Sequence, residues 1–367
     1  MRLFGLVKRV ARRFQRVEQV RAGLTREPMT HVIILDGTMS SLADGHETNA
    51  GQAFKLLQDV PAEARLDLRY EAGIQWTDWR STRDVIEGRG ISRQIRRVYG
   101  TLASRYRPGD RIFLLGFSRG AYAVRSLAGA IDRVGLLKPE HATVRNIQQA
   151  YRQYEDPPDP ETAAAFRAAF CHEAVPIEMI GVWDTVKALG MKFPGLTRLF
   201  ARAHEFHNHS LGACVKAGYH ALALNEMRQA FKPVLWDTKG FEGQVEQVCF
   251  RGTHGDIGGH LTGYHPARPL ANIPFVWMME KAEESGLPLP EGWQARYPTD
   301  PDAPSVGGYR GWGKIFWDRK RRKVGADPSE SLHPTAERRA LAKVLAEAFK
   351  RYSGPRYPVV HPHHEVR

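Results

Sequence analysis

Cysteine is scarce, with three residues in 367. Cys171, Cys214 and Cys249 are far apart and odd in number, so they form neither a disulfide framework nor a C-x-x-C metal motif. A reducing compartment is the expectation that follows. Long apolar runs are missing too. No stretch approaches the ~20 residues needed to cross a bilayer, and the N-terminus lacks the continuous apolar core of a secretory signal peptide. Internal repeats are absent, which excludes solenoids and propellers. Acidic residues also fall short: 40 Asp and Glu against 53 Lys and Arg leave a net charge of +13. That excess favours anionic partners such as nucleic acid, anionic lipid or an acidic protein. No recognition-helix or aromatic-platform motif accompanies it, so no specific nucleic-acid partner is expected.

The positive charge gathers at two places. In residues 2–22, Leu3, Val7, Val10, Phe14 and Val17 recur on one helical face, while Lys8, Arg9, Arg12, Arg13 and Arg16 lie largely off it. Such a helix can rest on an anionic membrane surface or pack its apolar stripe on the domain, and both readings stay open. The second cluster, R-K-R-R-K at 319–323, reads as a solvated run.

The most informative stretch is 111–131, R-I-F-L-L-G-F-S-R-G-A-Y-A-V-R-S-L-A-G-A-I. Ile112 to Leu115 form a continuous apolar run, the pattern of a parallel strand covered on both faces. Gly116-Phe117-Ser118-Arg119-Gly120 is G-x-S-x-G, followed by a small-residue helix. This is a nucleophile elbow: Ser118 at a sharp strand-to-helix turn, with Gly116 and Gly120 removing side chains that would collide there. The serine then lies at the positive end of a helix, where backbone N–H groups can hold an oxyanion.

A second buried strand, H-V-I-I-L-D-G at 31–37, precedes Thr38. Its L-D-G-T could suggest a haloacid-dehalogenase phosphatase, but that chemistry needs an aspartate at position 34, where this chain has Ile. The better reading is an oxyanion loop, with an N–H from Gly37 or Thr38, one from Arg119, and Asp36 organising the loop. Further strands are expected at 66–74, 177–182 and 244–250, and helices at 53–57, 91–106, 218–231, 270–284 and 335–352. Alternating strands and helices predict an α/β fold with a mainly parallel sheet and helices on both faces. Residues 138–175 read as a helical insertion over the active-site side, a candidate lid. H-E-F-H-N-H at 204–209 matches no metal-ligand spacing and reads as a polar loop.

A serine nucleophile needs a base and an acid to orient that base. The α/β-hydrolase order is Ser, acid, His. Ser118, Asp184 and His254 satisfy it, each just past an expected strand. Asp237 is the rival acid, and His260, His265 and His333 are rival bases. Asp256, two residues past His254 in the glycine-rich R-G-T-H-G-D-I-G-G-H, is a supporting loop residue or a metal ligand. Two alternatives remain: a metal-dependent phosphoesterase built from Asp36, His254, Asp256 and His260, and a non-enzymatic binder of acidic partners. The serine hydrolase reading requires no cofactor and no metal.

G-F-S-R-G-A at 116–121, V-W-D-T-V at 182–186 and G-T-H-G-D-I-G-G at 252–259 resemble the α/β-hydrolase family called domain of unknown function 2235. I-L-D-G-T at 34–38, T-N at 48–49, R-P-G-D at 107–110 and H-A-L-A-L-N-E-M-R at 220–228 support the resemblance, which covers about residues 31–350. The chain departs from the family at Met39-Ser40-Ser41, where an aromatic residue and asparagines usually follow D-G-T. The family includes catalytic domains of type VI secretion phospholipase effectors. The resemblance implies an α/β-hydrolase fold, a triad of Ser118, Asp184 and His254, and hydrolysis of lipid or phospholipid acyl esters.

The expected organisation is a basic amphipathic segment at 1–30, an α/β-hydrolase-like domain at 31–352 and a disordered tail at 353–367. The effector members tend to carry a large membrane-anchoring module after this domain, and none is evident here. A cytoplasmic location is the starting expectation, with type VI export and peripheral membrane attachment both open.

Overall fold

A computed structural model of the chain describes residues 26–73, 89–186, 210–308 and 318–337. The strands are β1 (Thr30–Leu35), β2 (Leu66–Glu71), β3 (Arg111–Phe117), β4 (Ile177–Trp183), β5 (Val215–Ala223), β6 (Gln244–Phe250) and β7 (Glu330–Leu332). They form one sheet in the order β2-β1-β3-β4-β5-β6-β7, and every neighbouring pair is parallel. The helices are α1 (Asn49–Gln58), α2 (Arg89–Arg105), α3 (Arg119–Val134), α4 (Val144–Glu155), α5 (Pro160–Phe170), α6 (His254–Gly258) and α7 (Arg268–Glu284).

Each central strand feeds two cores. Ile33, Leu35, Ile112 and Leu114 point to one face with apolar residues of α2, α3, α4 and α5. Val32, Ile34, Phe113 and Leu115 point to the other with residues of α1 and α7. This is the α/β-hydrolase-like arrangement, a parallel sheet covered on both sides. It explains why these strands read as unbroken apolar runs. Burying each such side chain contributes roughly 1.5–3 kcal/mol, so the strand ends stand on a rigid floor. The connections reverse direction between β1 and β3, and the crevice at their C-terminal ends is where open α/β sheets place ligands.

One sequence expectation needs correction. Residues 218–231 do not form a helix. Val215–Ala223 is strand β5, and only a short 3-10 turn, Gln229–Phe231, follows. β5 lies inside the sheet and is buried on both faces, so it has no two-residue alternation to betray it, and the Ala, Leu, Glu and Met of 218–231 favour helix by propensity alone. The segment 138–175 packs along one face of the sheet. Ala150, Tyr151, Tyr154 and Phe166 are buried in the same cluster as α2 and α3, so its apolar side is used against the sheet's own helices. The basic helix at 2–22, the histidines at 204–209, most of the closing helix and the tail lie outside the described residues.

Candidate active site

Ser118 connects β3 to α3 with φ 57° and ψ −118°. A non-glycine residue there stores roughly 1–3 kcal/mol of strain, which the surroundings must hold. They do so through hydrogen bonds: the Ser118 N–H donates to the Trp183 carbonyl at 3.0 Å, and its own carbonyl accepts from Tyr122 N–H at 3.3 Å. The flanking glycines are obligatory. A Cβ on Gly120 would lie 2.0 Å from the Leu35 carbonyl oxygen, and one on Gly116 would lie 2.8 Å from Ala121 Cα. The elbow can therefore seat against β1 only without those side chains.

The histidine and the aspartate come from distant strand ends. His254 opens α6, just past β6, and its Nε2 lies 2.9 Å from Ser118 Oγ. Its Nδ1 lies 2.6 Å from Asp184 Oδ2. Asp184 follows β4 with φ 42° and is fully buried. Burial alone would raise its carboxyl pKa, but the positive charge of Arg322 and the hydrogen bond from His254 hold it well below the usual carboxylate range. An ionised Asp184 only accepts, so Nδ1 carries the imidazole proton and Nε2 is left to accept from the serine hydroxyl. The structure thus brings Ser118, Asp184 and His254 together.

Two residues that the sequence did not single out complete this arrangement. Arg322 belongs to the basic run that reads as solvated, yet it grips Asp184 with both terminal nitrogens, at 2.5 Å to Oδ1 and 2.9 Å to Oδ2. Its neighbours Arg321 and Lys323 are exposed as expected. Glu226, buried and paired with Arg228 at 2.6 Å, accepts the His254 backbone N–H at 3.1 Å. Nothing local in the sequence marks either residue, because each acts across the fold.

Asp256 is a structural anchor. It forms a capping box with Thr253, and its carboxylate also accepts from Ser305 Oγ at 2.5 Å and Val306 N–H at 2.7 Å. Asp36 organises the loop after β1. It accepts from Gly37 N–H at 2.6 Å, Thr48 Oγ1 at 2.6 Å and Tyr70 Oη at 2.7 Å. Burial pushes its pKa up to about 6, against these hydrogen bonds. That loop passes beside the nucleophile: a Cβ on Gly37 would lie 3.3 Å from Ser118 Cβ. The Gly37 N–H is already committed to Asp36, whereas the Thr38 hydroxyl is buried with no partner among the described residues.

The rivals lie elsewhere. Asp237 is exposed and accepts only from the Lys239 N–H of its own turn, at 3.0 Å. His333 stacks on Phe250 at 4.6 Å, and the His265 ring lies 6.1 Å from that of His46. His260 is largely withdrawn from water, which lowers its pKa. The oxygens of Asp36 and Asp256 and both nitrogens of His254 already have hydrogen-bond partners, so the metal-binding set of Asp36, His254, Asp256 and His260 does not converge. Among the described residues no group of three or more His, Cys, Asp or Glu is placed to hold a metal ion.

Comparison with known proteins agrees with the motifs. Uncharacterized protein YEL023C of Saccharomyces cerevisiae is 28% identical over 225 residues, covering 55% of this chain and 32% of the yeast protein. An uncharacterized protein from Pseudomonas aeruginosa has a similar structure at TM-score 0.46 and 15% identity, covering 97% of this chain and 58% of that one. The Tle1 effector bound to the VgrG spike of the type 6 secretion system matches at TM-score 0.38 and 18% identity, covering 64% of this chain and 52% of that one. This chain therefore spans about a third of its curated relative and little more than half of each solved structure. The model of the type VI secretion phospholipase effector Tle1-like catalytic domain matches residues 29–281, and the chain belongs to that family.

Proposed function

We propose that the protein is a serine hydrolase that cleaves carboxylic acyl esters of lipids, phospholipids above all, through an acyl-enzyme. The observation that carries this reading is the hydrogen-bonded chain Ser118–His254–Asp184, at 2.9 and 2.6 Å, on a strained elbow at the strand ends. Ser118 Oγ attacks the ester carbonyl carbon as its proton passes to His254 Nε2. The tetrahedral oxyanion is held by the Arg119 N–H at the start of α3 and by Thr38 from the loop after β1. Collapse breaks the bond to the leaving alcohol, which takes the proton from His254. Water then attacks the acyl-enzyme, giving one proton to His254, which returns it to Ser118 as the carboxylic acid leaves.

Family membership supports the lipid substrate, and the net charge of +13 would favour an anionic membrane surface. Delivery through type VI secretion follows from the family in the same way. No helix among the described residues is long and apolar enough to cross a membrane, so access to lipid would be from the surface. A fluorophosphonate probe tests the reading. It should label the wild-type chain and fail to label Ser118→Ala, and turnover of a phospholipid panel should disappear with the same substitution. Labelling that persists in Ser118→Ala would overturn the assignment.

A further inference from the structure

Asp184 is a buried anion just past the end of β4. His254 faces it from α6, His220 from β5 and Cys249 from β6. Burial lowers the pKa of His220 to about 3 and raises that of Cys249 to about 12, so both are neutral near pH 7. Glu226 and Arg228 form their own pair against the His254 backbone. Arg125 bears on His220 and Glu330 on Cys249, and the cation bonded to Asp184 itself is Arg322, whose side chain is 11% exposed while that of Asp184 is 0%.

Arg322 does more than neutralise. Besides its two bonds to the carboxylate, it donates to the Ala223 carbonyl at 2.9 Å and the Phe231 carbonyl at 2.6 Å. Ala223 ends β5, and its own N–H donates to Asp184 Oδ1 at 3.0 Å. The Phe231 ring lies 4.7 Å from the ring of His254. One planar fork therefore ties Asp184, the adjacent strand end and the backbone of the residue whose ring lies tilted against His254. A lysine, a point charge on a flexible stem, cannot reproduce that geometry.

We propose that Arg322 is a positioning residue of the active site: its guanidinium keeps Asp184 ionised and aimed at His254, so the catalytic unit of this chain extends at least to residue 322. The family match ends at residue 281, short of this group. The proposal rests on the serine hydrolase reading above. Its signature is in pH. A cation beside the Asp184–His254 pair disfavours protonation of that pair. Removing the cation raises the pH at which the pair takes up a proton, and the acid limb of the rate profile moves upward.

The test uses the full chain as wild type, Arg322→Gln, Arg322→Lys and Arg321→Gln. Fluorophosphonate labelling of Ser118 and hydrolysis of a p-nitrophenyl acyl ester are followed across pH, with circular dichroism and thermal unfolding to confirm folding. Arg322→Gln should react roughly 100-fold more slowly with the acid limb moved up, a smaller loss than the ~10³–10⁴ expected for the acid itself. Arg322→Lys should recover part of the rate and part of the limb. Arg321→Gln, which removes the same charge from an exposed neighbour, should match wild type. A folded Arg322→Gln with wild-type rate and an unmoved limb overturns the proposal. So does a loss that is uniform across pH and no better in the lysine variant. If the Gln variant does not fold, the Lys variant decides: a slowed rate with a raised limb supports the proposal, and wild-type behaviour overturns it. A wild-type chain that is not labelled at Ser118 overturns the hydrolase reading along with it.

Discussion

Asp36 and Asp184 each sit one residue past the end of a parallel strand in the same sheet, and both are fully buried. Their carboxyl groups are nevertheless driven opposite ways. Asp36 is met by neutral donors, Gly37 N–H, Thr48 and Tyr70, and burial prevails, pushing its pKa up to about 6. Asp184 is equally dry, but a guanidinium and an imidazole N–H face it, and it is held well below the usual carboxylate range. Desolvation is common to both sites, and the counter-charge is what differs. One aspartate shapes a loop and sits near its titration point at neutral pH. The other is a permanent anion that fixes the tautomer of the base.

The sharpest way to break that contrast is Asp184→Asn. An amide can donate to His254 Nδ1, leaving Nε2 protonated and unable to accept from Ser118. The kcat for an acyl ester should fall by roughly 10³–10⁴. A loss under tenfold would mean that Asp184 is not the triad acid. Asp36→Asn should instead show itself in stability. Burial lifts its folded pKa to about 6, above the ordinary carboxylate range, so the native state keeps a proton that the unfolded chain loses between about pH 4 and 6. Wild-type stability should fall as pH rises through that window, by on the order of 3 kcal/mol from this group, and stay level above it. Urea unfolding at pH 4 and pH 7 should show that slope in wild type and its loss in Asp36→Asn. Asp184 has the opposite sign: its contribution is present above about pH 4 and is lost as pH falls below the unfolded value. The smallest effect belongs to Asp237→Asn, at an exposed turn, where turnover should stay within about twofold of wild type.

The same contrast explains what could be read from sequence. The elbow is local: strand, turn and glycines lie within a few residues of Ser118, so the motif and its steric reason coincide. That Asp184 and His254 lie beside Ser118 is legible because each follows a strand whose apolar run is visible. The strands β4 and β6 are legible at 177–182 and 244–250 for similar local reasons. Arg322 was not, because a buried arginine and a solvated one look alike inside R-K-R-R-K, and only the fold distinguishes them. Glu226 was hidden in the stretch misread as a helix. The sequence offers Gly37 and Thr38 alike as oxyanion donors, and only the fold shows the short bond from the Gly37 N–H to Asp36.

The strand order also gives the molecule a direction in time. After β1, β2 adds at one edge, β3 adds beside β1 at the other, and each later strand adds beside its predecessor. A chain emerging N-terminus first can lay down the sheet in that sequence. Asp184 precedes Arg322 by 138 residues, roughly 7–28 s of synthesis at typical elongation rates. Until residue 322 is made, Asp184 lacks the guanidinium that grips it in the finished fold. Reactivity should therefore arrive late, and in refolding the recovery of Ser118 labelling should lag the recovery of far-ultraviolet circular dichroism. Simultaneous recovery would show that the acid is set without its clamp.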